Sequence, residues 1–237
     1  MKKIGIIAPM EEEISELRKR LDISGVKTIA CVDYLTGKIS DRTNNKEVVI
    51  ARCGIGKVNA AVCAQIMIDL FAVDCIINIG VAGGLQKCVK IGDIVVSDGV
   101  VQHDFDTVVF GDEPGLIPRL DKKVFEADVL LKDCAIAAVS SVCGGKNGLH
   151  TGLVASGDQF IAEKKVKERI VTVFGALCAE MEGAAIGQVC WLNDKPFVVI
   201  RSISDNADEE ATQSFESFLL GAAKAAADII EKMLVEL

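Results

Sequence analysis

The chain has 237 residues, half of them apolar and a quarter charged, with a formal charge of −8 and a pI near 4.9. A chain of this size and apolar content buries a large core and suits one domain, residues 1–237, better than two. The acidic balance excludes nucleic acid as a principal partner, because backbone binding needs a clustered Lys/Arg surface, and points to a soluble acidic enzyme.

The amino terminus, Met1-Lys2-Lys3 followed by Ile4-Gly5-Ile6-Ile7, starts like a signal peptide, but Glu11-Glu12-Glu13 arrives before an adequate apolar segment forms, which predicts a mature start. Lys3 to Ala8 reads as a strand. Pro9 then leads into a helix that is acidic in its first turn and carries Ile14, Leu17 and Leu21 at helical spacing. Residues 26 to 53 alternate apolar and polar, with turn residues at Asp41 to Asn45, and predict two or three antiparallel strands. The turn Gly54-Ile55-Gly56-Lys57 opens a helix from about Val58 to Phe71. Cys75 to Ile79 is apolar almost throughout, as a strand covered on both faces requires, and ends in Gly80-Val81-Ala82-Gly83-Gly84.

Further along, Ile94 to Val101 predicts a strand, residues 103 to 120 a long loop, Asp121 to about Val142 a helix, and Leu149 to Ala155 a strand. A helix over Glu163 to Phe174, a strand leading to Glu180, a helix from Gly183 to Leu192, a strand over 197 to 203 and a helix from Ser214 to Leu237 complete the chain. The alternation indicates an α/β fold of three layers, α/β/α, around a central mixed β-sheet, with sites at the carboxyl ends of strands. No uncharged run approaches the ~18 residues that a membrane-spanning helix needs, so no membrane partner is expected. The nine cysteines contain no CxxC pair and lie mostly in apolar runs, which suits core thiols and a cytoplasmic location.

Glu180 and Glu182 sit at the junction of a buried strand and helix, where an unpaired carboxylate costs several kcal/mol, and so mark a site. The Gly54 turn lacks the GxxxxGK[ST] spacing of a phosphate loop, and Gly80 to Gly84 lacks GxGxxG. The latter glycines form either a tight turn or a place where a ligand such as a ribose lies against the main chain. His103 and His150, the two histidines, have no metal-ligand spacing, so no metal is expected; His103-Asp104 reads as polarity at a strand end. Each of Glu11 to Glu13 fits a charge in a first helical turn, and Asp205 fits a helix cap.

Taken in series, Met10-Glu11-Glu12-Glu13, Gly54-Ile55-Gly56-Lys57-Val58, Asn78 to Gly84, Gly92-Asp93-Ile94-Val95, Ser156-Gly157-Asp158-Gln159-Phe160, Glu180-Met181-Glu182 and Ser204-Asp205 resemble the 5′-methylthioadenosine/S-adenosylhomocysteine nucleosidases of the nucleoside phosphorylase superfamily. The resemblance implies a homodimeric hydrolase, without cofactor or metal, that cleaves the N-glycosidic bond of 5′-substituted adenosines. It implies Asp205 as the general acid at adenine N7, oriented by Ser204, and Glu13 as the base that activates water. It implies further that Glu182 binds the ribose hydroxyls, with Glu180 beside it either in contact with substrate or structural. Met181 and Met10 supply apolar surface, Phe160 stacks on adenine, and the Ile161 backbone reads the base edge. Ala82 and Gly83 bring main chain to the ligand. Ile55, Phe110, Pro118 and Phe215 either surround the 5′-group, with Phe110 and Pro118 lent by the other subunit, or are simply packed.

Two departures from the family pattern stand out. Val81 replaces a small hydroxyl residue and Thr107 an apolar one. The rival readings are a phosphate-dependent purine nucleoside phosphorylase, a hydrolase of another adenine-bearing nucleoside such as a menaquinone-pathway intermediate, and a non-catalytic nucleoside sensor. A phosphate site needs arginines, and Arg52 is the one found near the Gly54 turn. A sensor has no need of both Glu13 and Asp205.

Overall fold

A computed structural model of the chain describes residues 1–39, 46–144, 148–208 and 211–237, with the side chains of residues 39, 212–217 and 219–220 outside that description. The elements run β1 (Lys3–Ala8), α1 (Glu11–Lys19), β2 (Leu21–Ile29), β3 (Val32–Ile39), β4 (Glu47–Arg52), α2 (Lys57–Phe71), β5 (Cys75–Gly84) and β6 (Ile94–Gln102). After a 3₁₀ turn (Val108–Phe110) come β7 (Val124–Glu126), α3 (Val129–Cys143), β8 (Leu149–Ser156), α4 (Lys164–Phe174), β9 (Cys178–Glu180), α5 (Gly183–Leu192), β10 (Phe197–Asp205) and α6 (Ala211–Glu236). None of the described helices is long and apolar enough to cross a membrane.

Among the described residues the strands form one mixed sheet in the order β10-β6-β8-β9-β5-β1-β4-β3-β2, with β7 on β6. β5 also pairs in parallel with β10, so β5, β10, β6, β8 and β9 close into a ring while β1, β4, β3 and β2 continue as an open wing. Closure leaves those five strands without a free edge. It also brings the carboxyl ends of β5 and β10 side by side. β5 is apolar because both of its faces are covered: Ile77 and Ile79 pack into one core cluster and Ile76 into another. α1, α3 and α6 cover the first face through Leu17, Leu131 and Ile230, and α2 and α5 the second through Met67 and Ile186. This is the mixed, helix-covered sheet expected; its closure was not.

Three local expectations change. Leu21 is not helical: α1 ends at Lys19 and Leu21 is the first residue of β2, paired with Ile39. A buried Leu21 satisfies the same apolar core from either geometry, so spacing could not separate them. The helix expected from Asp121 starts at Val129, where the Asp128 carboxylate caps it by accepting from the Leu131 amide at 3.0 Å, and Val124 to Glu126 instead pair with Gly99 to Val101 of β6. β5 does not stop at Ile79 but continues to Gly84. The turn expected at Asp41 to Asn45 lies outside the described residues.

Candidate active site

The carboxyl ends of β1, β5, β9 and β10 meet the amino ends of α1, α2 and α5 around one cleft with an interior of about 110 Å³. Its walls are Pro9, Met10 and Glu13, Ile55, Val81 to Gly83, Phe160, Ala179 to Glu182, and Ser204 with Asp205.

Two glycines of β5 explain how carboxylates reach this cleft. A Cβ on Gly80 would sit 2.8 Å from Glu13 Oε1, and a Cβ on Gly83 would sit 2.8 Å from Asp205 Oδ1. The glycines are therefore strand positions that clear space for protein carboxylates, and the turn expected there is absent. They stand three positions apart on the strand, about 10 Å along the chain.

Glu13 lies in the first turn of α1 but is buried, unlike Glu11 and Glu12. Its Oε2 accepts from the Met10 amide and its Oε1 from the Val81 amide, both at 2.9 Å. Burial pushes its pKa from 4.5 up to about 7, against the opposing pull of the Arg201 charge and of the two amides. Asp205 ends β10 just past a register shift between Ile203 and Asp205 that realigns the strand end with Gly83. Its Oδ2 accepts from the Ser204 hydroxyl and its Oδ1 from the Ala207 amide, both at 2.8 Å. Burial raises its pKa as well, and the two hydrogen bonds only partly oppose that rise. Asp205 thus belongs to a strand end rather than to a helix cap.

Arg201, fully buried on β10, organises the remaining acids. It donates to Asn78 Oδ1 at 2.5 Å and to Glu180 Oε2, and lies 3.8 Å from Glu182 Oε2. Glu180 is fully engaged: besides Arg201 it accepts from the Ser156 hydroxyl and from the amides of Glu182 and Gly183 at 3.2 and 2.8 Å. Glu182 keeps more freedom, accepting at Oε1 from the Gly56 amide at 2.9 Å, and burial together with the Glu180 charge raises its pKa. Gly56 offers that amide from a backbone with φ of 98°, which favours glycine.

The model of the phosphorylase superfamily matches residues 3–235 of the chain. A 5′-methylthioadenosine/S-adenosylhomocysteine nucleosidase of Geobacillus thermodenitrificans is 41% identical over 98% of this chain and 96% of its own. The Neisseria meningitidis nucleosidase of the same name, solved with methylthio-immucillin-A, superposes with a TM-score of 0.93 at 36% identity, covering all of both chains. The chain belongs to the 5′-methylthioadenosine/S-adenosylhomocysteine nucleosidase family. Futalosine hydrolase of Helicobacter pylori is also similar in structure, with a TM-score of 0.90 and 36% identity over the whole of this chain and 98% of its own.

Within this nucleosidase fold the cleft gathers Met10, Glu13, Ile55, Ala82, Gly83, Phe160, Glu180, Met181, Glu182, Ser204 and Asp205. It does not gather the others. Ile161 is buried in a cluster with Val101 and Ile170 and is not among the cleft walls, which leaves open the role expected of its backbone. Phe110 is 83% exposed, and both it and Pro118 stand outside the cleft of their own chain. The Phe215 side chain lies outside the described residues. His103 is buried, not surface polarity, with its Nε2 lacking a partner among the described residues. Val81 contributes its backbone amide to Glu13, and Thr107 Oγ1 is buried without a described partner.

Sequence reasoning missed Arg201 and Asn78. Their signal was available: a cation and an amide within otherwise apolar strands must have buried partners, and Glu180 and Glu182 were waiting for them.

Proposed function

We propose that the protein hydrolyses the N-glycosidic bond of 5′-methylthioadenosine and S-adenosylhomocysteine, and of 5′-deoxyadenosine, releasing adenine and the 5′-substituted ribose. The observation that carries this reading is the pair Glu13 and Asp205, two buried carboxylates with raised pKa values beside Gly80 and Gly83 of one cleft. Bond cleavage leaves positive charge on the sugar and negative charge on the base. Asp205, whose protonated form burial favours, gives its proton to adenine N7 as the C1′–N9 electron pair moves into the ring. Ionised Glu13 takes a proton from water, whose oxygen bonds to C1′, in the manner of an inverting glycosidase. Glu182 accepts from the ribose hydroxyls, with Met10 and Met181 as apolar walls and Phe160 stacked on the base.

The exposed Phe110 and the neighbouring Pro118 fit a homodimer in which each copy lends them to the other's 5′-pocket, completed by Ile55 and Phe215. A phosphorolytic reading is weaker, because no arginine lines the described cleft: Arg201 is buried behind its acids, committed to Asn78 and Glu180, and offers no open cradle to an anion. Similarity to futalosine hydrolase favours a second reading, hydrolysis of that nucleoside. A panel of 5′-methylthioadenosine, S-adenosylhomocysteine, 5′-deoxyadenosine and futalosine, read by free base released, tests the assignment: turnover of futalosine alone would move it to the second reading.

A further inference from the structure

Beside the cleft, and sharing no side chain with its walls, three residues from three separate segments close a hydrogen-bonded ring. The Lys57 amide, at the first position of α2, donates to Asp158 Oδ1 at 2.8 Å. The Asp158 amide donates to Asp104 Oδ2 at 2.9 Å, and Lys57 Nζ returns to Asp104 Oδ1 at 2.6 Å. Lys57 Nζ also donates to Gln102 Oε1 at 3.0 Å, and Gln102 Nε2 to Gln188 of α5 at 2.6 Å. The Lys57 and Asp104 side chains are each only 17% exposed, so their ion pair is screened far less than a surface pair. Burial acts to raise the Asp104 pKa, but Lys57 and the Asp158 amide outweigh it and hold the carboxyl below its usual range.

We infer that Lys57, Asp104 and Asp158 are positioning residues for substrate binding, a brace that sets the Ser156–Phe160 segment against the start of α2. Two residues beyond Asp158 stands Phe160 on the cleft wall; one residue before Lys57 stands Gly56, whose amide holds Glu182. The ring therefore fixes the spacing between the base-stacking ring and the ribose-binding carboxylate. It touches neither reacting carboxylate, since Glu13 is held by the Met10 and Val81 amides and Asp205 by Ser204 and the Ala207 amide. Stacking on adenine is equal in ground and transition states, so loosening it raises KM and leaves kcat in place.

This inference rests on the nucleosidase reading, which fails separately if the unaltered protein releases no adenine from 5′-methylthioadenosine. The test uses Lys57→Met, Asp104→Asn, Asp158→Ala and the conservative Lys57→Arg, with kcat and KM for that nucleoside, the pH profile of kcat, and the thermal midpoint. Loss of one charge-assisted bond is expected to raise KM about tenfold with kcat within about twofold. The pH profile stays unchanged, and Lys57→Arg restores part of the loss. The double variant Lys57→Met/Asp104→Asn is expected to be no worse than the poorer single one, because the ring breaks once. Unchanged KM in a folded variant overturns the inference, as does a fall in kcat at constant KM. Asp158 is exposed, so Asp158→Ala, which removes the acceptor for the Lys57 amide, carries the test if an inner variant fails to fold.

Discussion

Replacing Glu13 by Gln removes a single proton-binding group whose cost to the fold is set by pH. A folded-state pKa above the unfolded one means that the folded chain holds its proton longer. Between about 4.5 and 7 the folded protein therefore binds more protons than the unfolded chain, and stability falls as pH rises. Below 4.5 both states are protonated and the penalty vanishes. The rise from 4.5 to about 7 is equivalent to about 3 kcal/mol, and about 2.5 kcal/mol of it develops between pH 5 and pH 8. Glutamine resembles the protonated acid in shape but turns an NH2 donor toward one of the Met10 and Val81 amides, so the variant starts below the parent at pH 5 and gains on it by pH 8. Glu182, whose pKa is also raised, is present in both proteins, and its charge is the smallest of the causes that act on Glu13. Urea unfolding of both proteins at the two pH values measures the effect; a stability difference that does not change with pH would refute the reasoning. The same proton places the acid limb of kcat/KM for the parent near pH 7, because the base must be ionised to act.

Asp205→Asn is expected to keep ligand binding, measured by calorimetry with 5′-methylthioadenosine, while turnover drops ~10²-fold or more; near-normal rates would remove Asp205 from the role of acid. Arg201→Met leaves Glu180 and Glu182 buried without a cation, at a cost of about 3–5 kcal/mol in urea unfolding at pH 8; a midpoint equal to the parent's would mean that the two acids do not depend on it. Gly157→Ala places a Cβ 2.3 Å from Nε2 of buried His103 and is expected to destabilise by about 1–3 kcal/mol through overpacking. A denaturation midpoint equal to the parent's would mean that the histidine moves freely.

Much of this site was legible because glycines, carboxylates and apolar runs follow local rules. The bounds of α5 could be read from Gly183 and Leu192, and Glu182 announced itself as a carboxylate at a buried junction. Glu180 announced itself in the same way, yet its oxygens are spent on Ser156, Arg201 and two amides. What distinguishes the two is the position of Arg201, which depends on β10 pairing with β5 and is fixed by a hydrogen bond to Asn78, 123 residues away. Tertiary closure also decided Gly80 and Gly83. Local spacing offered a turn or a ligand contact, whereas the chain placed Glu13 and Asp205 against them. His103 looked exposed because its neighbours are polar, but those neighbours pair with Lys57 and turn the ring inward against Gly157.

The central claim is hydrolysis by water, and one assay meets it directly: purified protein is mixed with 5′-methylthioadenosine in phosphate-free buffer, and adenine is followed with and without added phosphate. The account predicts adenine and free 5-methylthioribose at the same rate in both. Adenine release only when phosphate is present, with the sugar recovered as its 1-phosphate, would contradict it.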